Sequence, residues 1–262
     1  MSANLFSLHG RTAVVTGGLG QLGRRFTAAL LESGARVAIL DKASAPASTD
    51  HCLYVEAEVT DRSSLEKAAA RIESAFGVPH ILVNSAAIDA PPNAPSSVAG
   101  PFEDFPVDVW RETMDVNVTG VFLCSQVFGG WMAEQGRGSI VNVASIYGMV
   151  APDQRIYEYR RRGGDAFFKP AAYAVSKSAI LNLTRYLATY WAPRGVRVNT
   201  VTFAGVFNDQ DPEFLAEYTK RVPLARMARD DEYNGAIIFL ASDASSYMTG
   251  ANLVLDGGYT AW

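Results

Sequence analysis

Short runs of aliphatic and β-branched residues recur at Thr12 to Thr16, Arg36 to Leu40, Leu53 to Ala57, Ile81 to Asn84, Ser139 to Ala144, Val196 to Thr202 and Leu253 to Leu255. Several are apolar at nearly every position, the pattern of strands covered on both faces. Longer stretches with helical spacing lie between them, among them Arg24 to Ser33, Val107 to Glu134 and Ala172 to Ala192. The alternation predicts an α/β fold: a doubly wound, seven-stranded parallel sheet with helices on both faces and right-handed crossovers. Ala90 to Pro101 and the polar stretch Asp153 to Pro170 read as loops within that alternation. A single domain over residues 1–262 is therefore expected.

Composition narrows the class of partner. Hydrophobic residues make up 48% of the chain, enough for a large core, and the net charge of -4 carries no basic footprint for nucleic acid or an anionic membrane. Only Cys52 and Cys124 occur, without a metal-ligand spacing, so two reduced thiols and no metal are expected. The first residues lack a basic region followed by an apolar stretch, and no run approaches the roughly 18 apolar residues of a membrane span. A cytoplasmic protein acting on small molecules is the expectation.

The chemistry begins directly after the first strand. Thr16-Gly17-Gly18-Leu19-Gly20-Gln21-Leu22-Gly23 contains GxGxxG at Gly18, Gly20 and Gly23 and opens a helical pattern, as in a Rossmann dinucleotide loop. Such glycines let backbone N–H groups and a helix N-terminus approach a pyrophosphate. Asp41 closes the second strand eighteen residues after Gly23, where a carboxylate accepts from ribose hydroxyls and repels a 2′-phosphate. No Arg or Lys lies between Gly17 and Gly23, so NAD is expected over NADP, with Lys42 the one opposing charge nearby.

Tyr173 and Lys177 stand four apart at the start of a helical pattern, which sets phenol and ammonium on one face. An ammonium beside a phenol favours phenolate and predicts a lowered pKa at Tyr173. The glycine loop, Asn84-Ser85-Ala86-Ala87, Asn117, Ser145, Tyr173-Ala-Val-Ser-Lys177 and the ending Asp256-Gly257-Gly258 occur in the order of the short-chain dehydrogenase/reductase family, which the chain resembles over nearly its whole length.

That resemblance implies an NAD-dependent oxidoreductase moving hydride between nicotinamide and a secondary alcohol or ketone. Tyr173 is then the general acid/base and Ser145 holds the substrate oxygen. Lys177 lowers the tyrosine's pKa and holds the nicotinamide ribose, and Asn117 anchors a water that continues the proton path. Gly17, Gly18, Gly20, Gln21, Leu22, Gly23, Asp41, Glu58, Val59, Asn84, Ala86, Tyr173, Lys177 and Val206 align with positions that bind the cofactor. Glu58-Val59 stands where the family has Asp before an apolar residue, and the Val206 backbone matches the carboxamide contact.

Three departures stand out. Gln21 replaces the middle glycine of the family's TGxxxGxG, Phe203-Ala204 replaces its Pro-Gly, and 27 residues separate Ser145 from Tyr173. The last makes residues 146–172 an extended substrate loop, facing a lid over 203–225. Arg155, Arg160, Arg161, Arg162 and Lys169 lie in that insertion beside aromatics. Arginine grips phosphate or carboxylate bidentately, so Tyr147, Arg155 and Arg160 are expected to meet an anionic sugar derivative: a phosphosugar, sugar acid or nucleotide-activated sugar.

The stretches Gly205 to Phe214 and Tyr259 to Trp262 are similar to family members of bacterial surface-sugar (nonulosonate-type) pathways. The alternatives are a 3-oxoacyl-thioester reductase, which Asp41 opposes, and a non-catalytic NAD-binding regulator, which the intact Ser145, Tyr173, Lys177 and Asn117 oppose. Relatives assemble through the Val107 to Glu134 and Ala172 to Ala192 helices, so the resemblance implies a homotetramer.

Overall fold

The computed structural model describes residues 4–43 and 47–262. Seven strands, β1 (Thr12–Thr16), β2 (Arg36–Asp41), β3 (Cys52–Glu56), β4 (Ile81–Asn84), β5 (Gly138–Ser145), β6 (Val196–Phe203) and β7 (Asn252–Leu255), form one sheet in the order β3-β2-β1-β4-β5-β6-β7. Every pairing is parallel. The runs read from sequence match these strands to within a residue or two, because a strand buried on both faces needs a continuous apolar run whatever surrounds it. The chain reverses its direction of winding between β1 and β4, and a crevice opens there at the carboxyl ends of the strands.

Two cores sandwich the sheet. On one face α2 (Arg62–Phe76), α3 (Val107–Glu134) and α5 (Ala171–Trp191) pack Leu65, Ile72, Phe128, Met132 and Trp191 against the strands. On the other, α1 (Gln21–Glu32) and α7 (Asn234–Ala241) contribute Phe26, Leu30, Ile237 and Leu240. Each such side chain, fully buried, contributes about 1.5–3 kcal/mol. Helix α1 begins at Gln21, three residues ahead of the predicted start, since its first turn is made by the glycine loop itself. Helix α3 holds no unbroken apolar run of membrane-spanning length, but its length and average hydropathy reach those of a span, and 56% of that window is buried inside the molecule.

A third cluster, absent from the sequence reading, sits above the strand ends. The stretch 153–170, expected to be a polar loop, contains one 3-10 turn, Gln154–Tyr157, and the short helix α4 (Glu158–Arg162). It drives Ile156, Tyr157 and Phe167 into contact with Tyr147 and with Phe214 and Tyr218 of α6 (Pro212–Thr219). Tyr157 lies 4.9 Å from Phe167 and 5.7 Å from Phe214, centroid to centroid. Arg221, just after α6, donates to Asp153 at 2.7 Å, so insertion and lid form one roof.

Candidate active site

The strand ends, the glycine loop and this roof enclose a cleft of about 780 Å³. At the end lined by the glycine loop the backbone turns with Gly17 at φ +63°, and a Cβ there would stand 2.7 Å from the Ala86 Cα. A Cβ on Gly23 would meet the Gly17 carbonyl oxygen at 2.2 Å. Both positions demand glycine because loop and helix approach at backbone distance. Thr16 Oγ1 accepts from the Ser85 and Ala86 N–H groups at 3.1 Å, fixing the β4 loop over the β1 turn.

Asp41 Oδ2 accepts from the Leu19 N–H at 3.0 Å, which holds a carboxylate at the edge of the glycine turn. Glu58 curls onto its own loop, accepting from the Thr60 N–H at 3.3 Å, and lines the cleft with Val59. The bare cradle and the acceptor at the end of β2 fit a dinucleotide's pyrophosphate and adenosine ribose.

At the other end Ser145 finishes β5 while Tyr173 and Lys177 project from α5. Their helix is fixed by a buried polar chain: Asn84 Nδ2 donates to Asn142 Oδ1 at 2.8 Å and Asn142 Nδ2 to Thr184 Oγ1 at 2.9 Å. Thr200 Oγ1 completes it at 2.7 Å. Burial, and after it the Asp89 carboxylate, push the Tyr173 phenol's pKa up, and the neighbouring Ser145 hydroxyl, which lowers it, does not offset them. The phenol therefore sits above its ordinary value, the reverse of the lowering predicted from the Tyr/Lys spacing. The Lys177 ammonium is turned to the Val143 carbonyl at 2.9 Å, and burial brings its pKa down to about 8.

Across residues 20–260 the chain matches a family model described as enoyl-(acyl carrier protein) reductase. It is 35% identical to a galactitol 2-dehydrogenase (L-tagatose-forming) of Cereibacter sphaeroides, covering 98% of both chains. A short-chain dehydrogenase from Leptospira borgpetersenii solved with bound NAD+ superposes at a TM-score of 0.87, with 33% identity over 99% of this chain and 96% of that one. The chain belongs to the short-chain dehydrogenase/reductase family. A gluconate 5-dehydrogenase from Burkholderia cenocepacia, solved with NADP and tartrate, superposes at 0.86 with 28% identity over the whole of both chains.

Within this short-chain dehydrogenase/reductase the predicted residues divide. Gly17, Gly20, Gln21, Leu22, Gly23, Asp41, Glu58, Val59, Ala86, Ser145, Tyr147, Tyr173, Lys177 and Val206 line the cleft. Gly18 packs against Ile39 instead, and the Asn84 side chain turns beneath its loop to Asn142. Asn117 lies in a π turn, Asp115–Thr119, and is fully buried. It accepts from the Ile88 N–H at 2.7 Å and donates to the Ile88 carbonyl at 2.9 Å and Ser176 Oγ at 3.0 Å, binding the β4 loop to α5. Val206 offers its carbonyl to Gln210 Nε2 at 2.7 Å, and Gln21 Nε2 reaches the Phe207 carbonyl at 3.0 Å, a clasp from glycine loop to lid.

The arginines are the main correction. Arg155 is 77% exposed and chelated by Asp153, and it does not line the cleft. Arg160 donates to the Pro92 and Ala94 carbonyls at 2.6 and 2.8 Å, pairs with Asp165 and lies 4.3 Å above the Phe167 ring. Arg161 caps the Phe167 and Gln154 carbonyls. These side chains satisfy carbonyls exposed by an irregular backbone, so they build the roof. Sequence reading missed Asp89 and Arg24 at the cleft wall, as well as Tyr157, Phe214 and Tyr218, and it named Lys169 only within a charge run. Arg24 directly follows Gly23 in the chain, whereas no motif marked the others, which converge only through the crossovers. Among the described residues no group of His, Cys, Asp and Glu is placed to hold a metal.

Proposed function

We propose that this protein is an NAD-dependent dehydrogenase of a secondary hydroxyl in a small polyhydroxylated substrate, a sugar alcohol or close derivative. The observation that carries the reading is Ser145, Tyr173 and Lys177 converging on one end of a cleft whose other end is the glycine cradle with Asp41. A bound nicotinamide dinucleotide supplies the hydride acceptor, or the donor in the reverse direction. Ser145 hydrogen-bonds the substrate oxygen, and Tyr173 takes the hydroxyl proton as the carbinol C–H electron pair departs, so charge does not accumulate on the alkoxide. Lys177 holds the nicotinamide ribose and keeps a positive charge near the phenolate as it forms. The aromatic roof excludes water from the reacting carbon.

The relative acting on galactitol and the neighbour acting on gluconate support a polyhydroxylated substrate. NAD is favoured by the Asp41 carboxylate, NADP by Arg24 and Lys42 at the same end of the cleft. The anionic-sugar reading loses the arginines that carried it, and reduction of 3-oxoacyl thioesters remains disfavoured by Asp41. A homotetramer is consistent with exposed Phe122, Tyr186 and Tyr190 on α3 and α5. The test is titration with NADH and NADPH followed by oxidation of galactitol with each oxidised cofactor. Tighter NADH binding with turnover that Tyr173→Phe abolishes supports the proposal, and NADPH preference with thioester reduction overturns it.

A further inference from the structure

Lys169 reaches the cleft from the end of the insertion, with its side chain only 4% exposed. Its backbone is clamped: the Lys169 N–H donates to Gln154 Oε1 and the Gln154 amide donates back to the Lys169 carbonyl, both at 2.9 Å. Its ammonium donates to Asp89 Oδ1 at 2.5 Å and to the Ala90 carbonyl at 2.7 Å. It lies 4.9 Å from the centroid of the Tyr173 ring, nearer than Lys177 at 5.8 Å, and 6.0 Å from that of Tyr147. Asp89 lines the same cleft as Tyr157, Tyr173 and Lys177, which places its charge within the site.

Sinking a lysine this deeply is a weak way to stabilise a fold, since an apolar side chain of similar volume often does as well or better. What remains unused has a definite shape. An ammonium has three donors and two are taken, while Asp89 is 42% exposed and its Oδ2 has no protein partner among the described residues. One donor and one acceptor thus stand side by side next to Tyr173. A hydroxyl donates and accepts at once and fits both. A carboxylate or phosphate only accepts, and it meets the Asp89 charge.

We propose that Lys169 and Asp89 are specificity-determining residues that bind a second, non-reacting hydroxyl of the substrate and select neutral polyols over single-hydroxyl alcohols and over sugar acids. The inference rests on the dehydrogenase reading above and names the substrate class of that site. Gln154 positions the pair by holding the Lys169 backbone.

The experiment measures kcat/KM for galactitol, gluconate and butan-2-ol in the wild type, Lys169→Met and Asp89→Asn, with NADH titration reporting that each variant is folded. The wild type is expected to prefer galactitol. Lys169→Met lowers kcat/KM for galactitol at least about tenfold more than for butan-2-ol, the loss of one charge-assisted hydrogen bond. Asp89→Asn removes the repulsion and raises gluconate relative to galactitol by about tenfold. A wild-type preference for gluconate, or a galactitol-to-butan-2-ol ratio in Lys169→Met within about twofold of wild type, overturns the inference alone. Absence of polyol turnover by the wild type with either cofactor overturns the dehydrogenase reading as well.

Discussion

The Asp41 carboxylate accepts a hydrogen bond from the Leu19 N–H at 3.0 Å, so the end of β2 and the glycine turn are one unit. The same side chain accepts from the Ala43 N–H at 3.0 Å, which leaves little freedom in its orientation. A carboxylate held in advance spares its ordering when the ribose binds.

Asp41→Ala is therefore expected to weaken NADH binding about tenfold and to affect NADPH less, because it removes an acceptor from the ribose and a repulsive charge from a 2′-phosphate. Fluorescence titration with both reduced cofactors reads the ratio. An unchanged ratio contradicts the role of Asp41 in cofactor choice.

The oxidative pH profile follows from the Tyr173 surroundings. Burial and the Asp89 carboxylate hold the phenol above its ordinary value, opposed by Ser145, so kcat/KM for oxidation rises toward alkaline pH. Neutralising Asp89 removes one raising influence, and Asp89→Asn shifts that rise to lower pH. Profiles of kcat/KM between about pH 6 and 10 check the direction.

Lys177 links function to stability. Its folded value of about 8 lies below the 10.5 of an ordinary lysine. Between those values the unfolded chain binds more protons than the native one, so Lys177 contributes a rise of stability with pH across that window. Below about 8 both states are charged and the full burial penalty remains. Lys177→Met is expected to abolish turnover while flattening this rise and raising Tm at pH 7, as thermal melts at pH 7 and above would show.

Arg160 separates a structural from a substrate-binding role. Removing it in Arg160→Met leaves the Pro92 and Ala94 carbonyls and Asp165 without their partner, a loss of about 2 kcal/mol. Tm then falls by about 4–8 °C while KM for a polyol stays within about twofold. A large KM increase at unchanged Tm would restore the anion-gripping reading.

At Gly23 the backbone leaves no room for a side chain. Gly23→Ala drives its Cβ into the Gly17 carbonyl at 2.2 Å and is expected to cost about 1–3 kcal/mol and to loosen cofactor binding. Chemical denaturation and NADH titration measure the two losses separately.

The strands, the glycine loop and the Tyr173/Lys177 pair were legible in the sequence because each is a local matter. An apolar run makes a strand buried on both faces, three spaced glycines make a turn, and four residues make one helical step. Asp41 was legible as well, standing where its strand ends. Asn117 was legible as a site position, but not that its amide joins Ile88 to Ser176, a bond between segments that no spacing connects.

Residues 153–170 show most clearly where sequence stops. Their charges suggested an exposed, anion-binding loop, and their aromatics carried no helical or strand period. In the fold Tyr157 and Phe167 found Phe214 under the lid, and the arginines turned to backbone carbonyls that this burial had stripped of water. The sequence by itself determined the sheet, the glycine turn and the Tyr173/Lys177 pair, through periodicity and backbone sterics that act within a few residues. Only the tertiary structure decided that Lys169, 80 residues from Asp89, becomes the cation beside Tyr173 while Arg155 and Arg160 do not. A long side chain goes to whichever unpaired charge or carbonyl the packed crossovers bring within its reach.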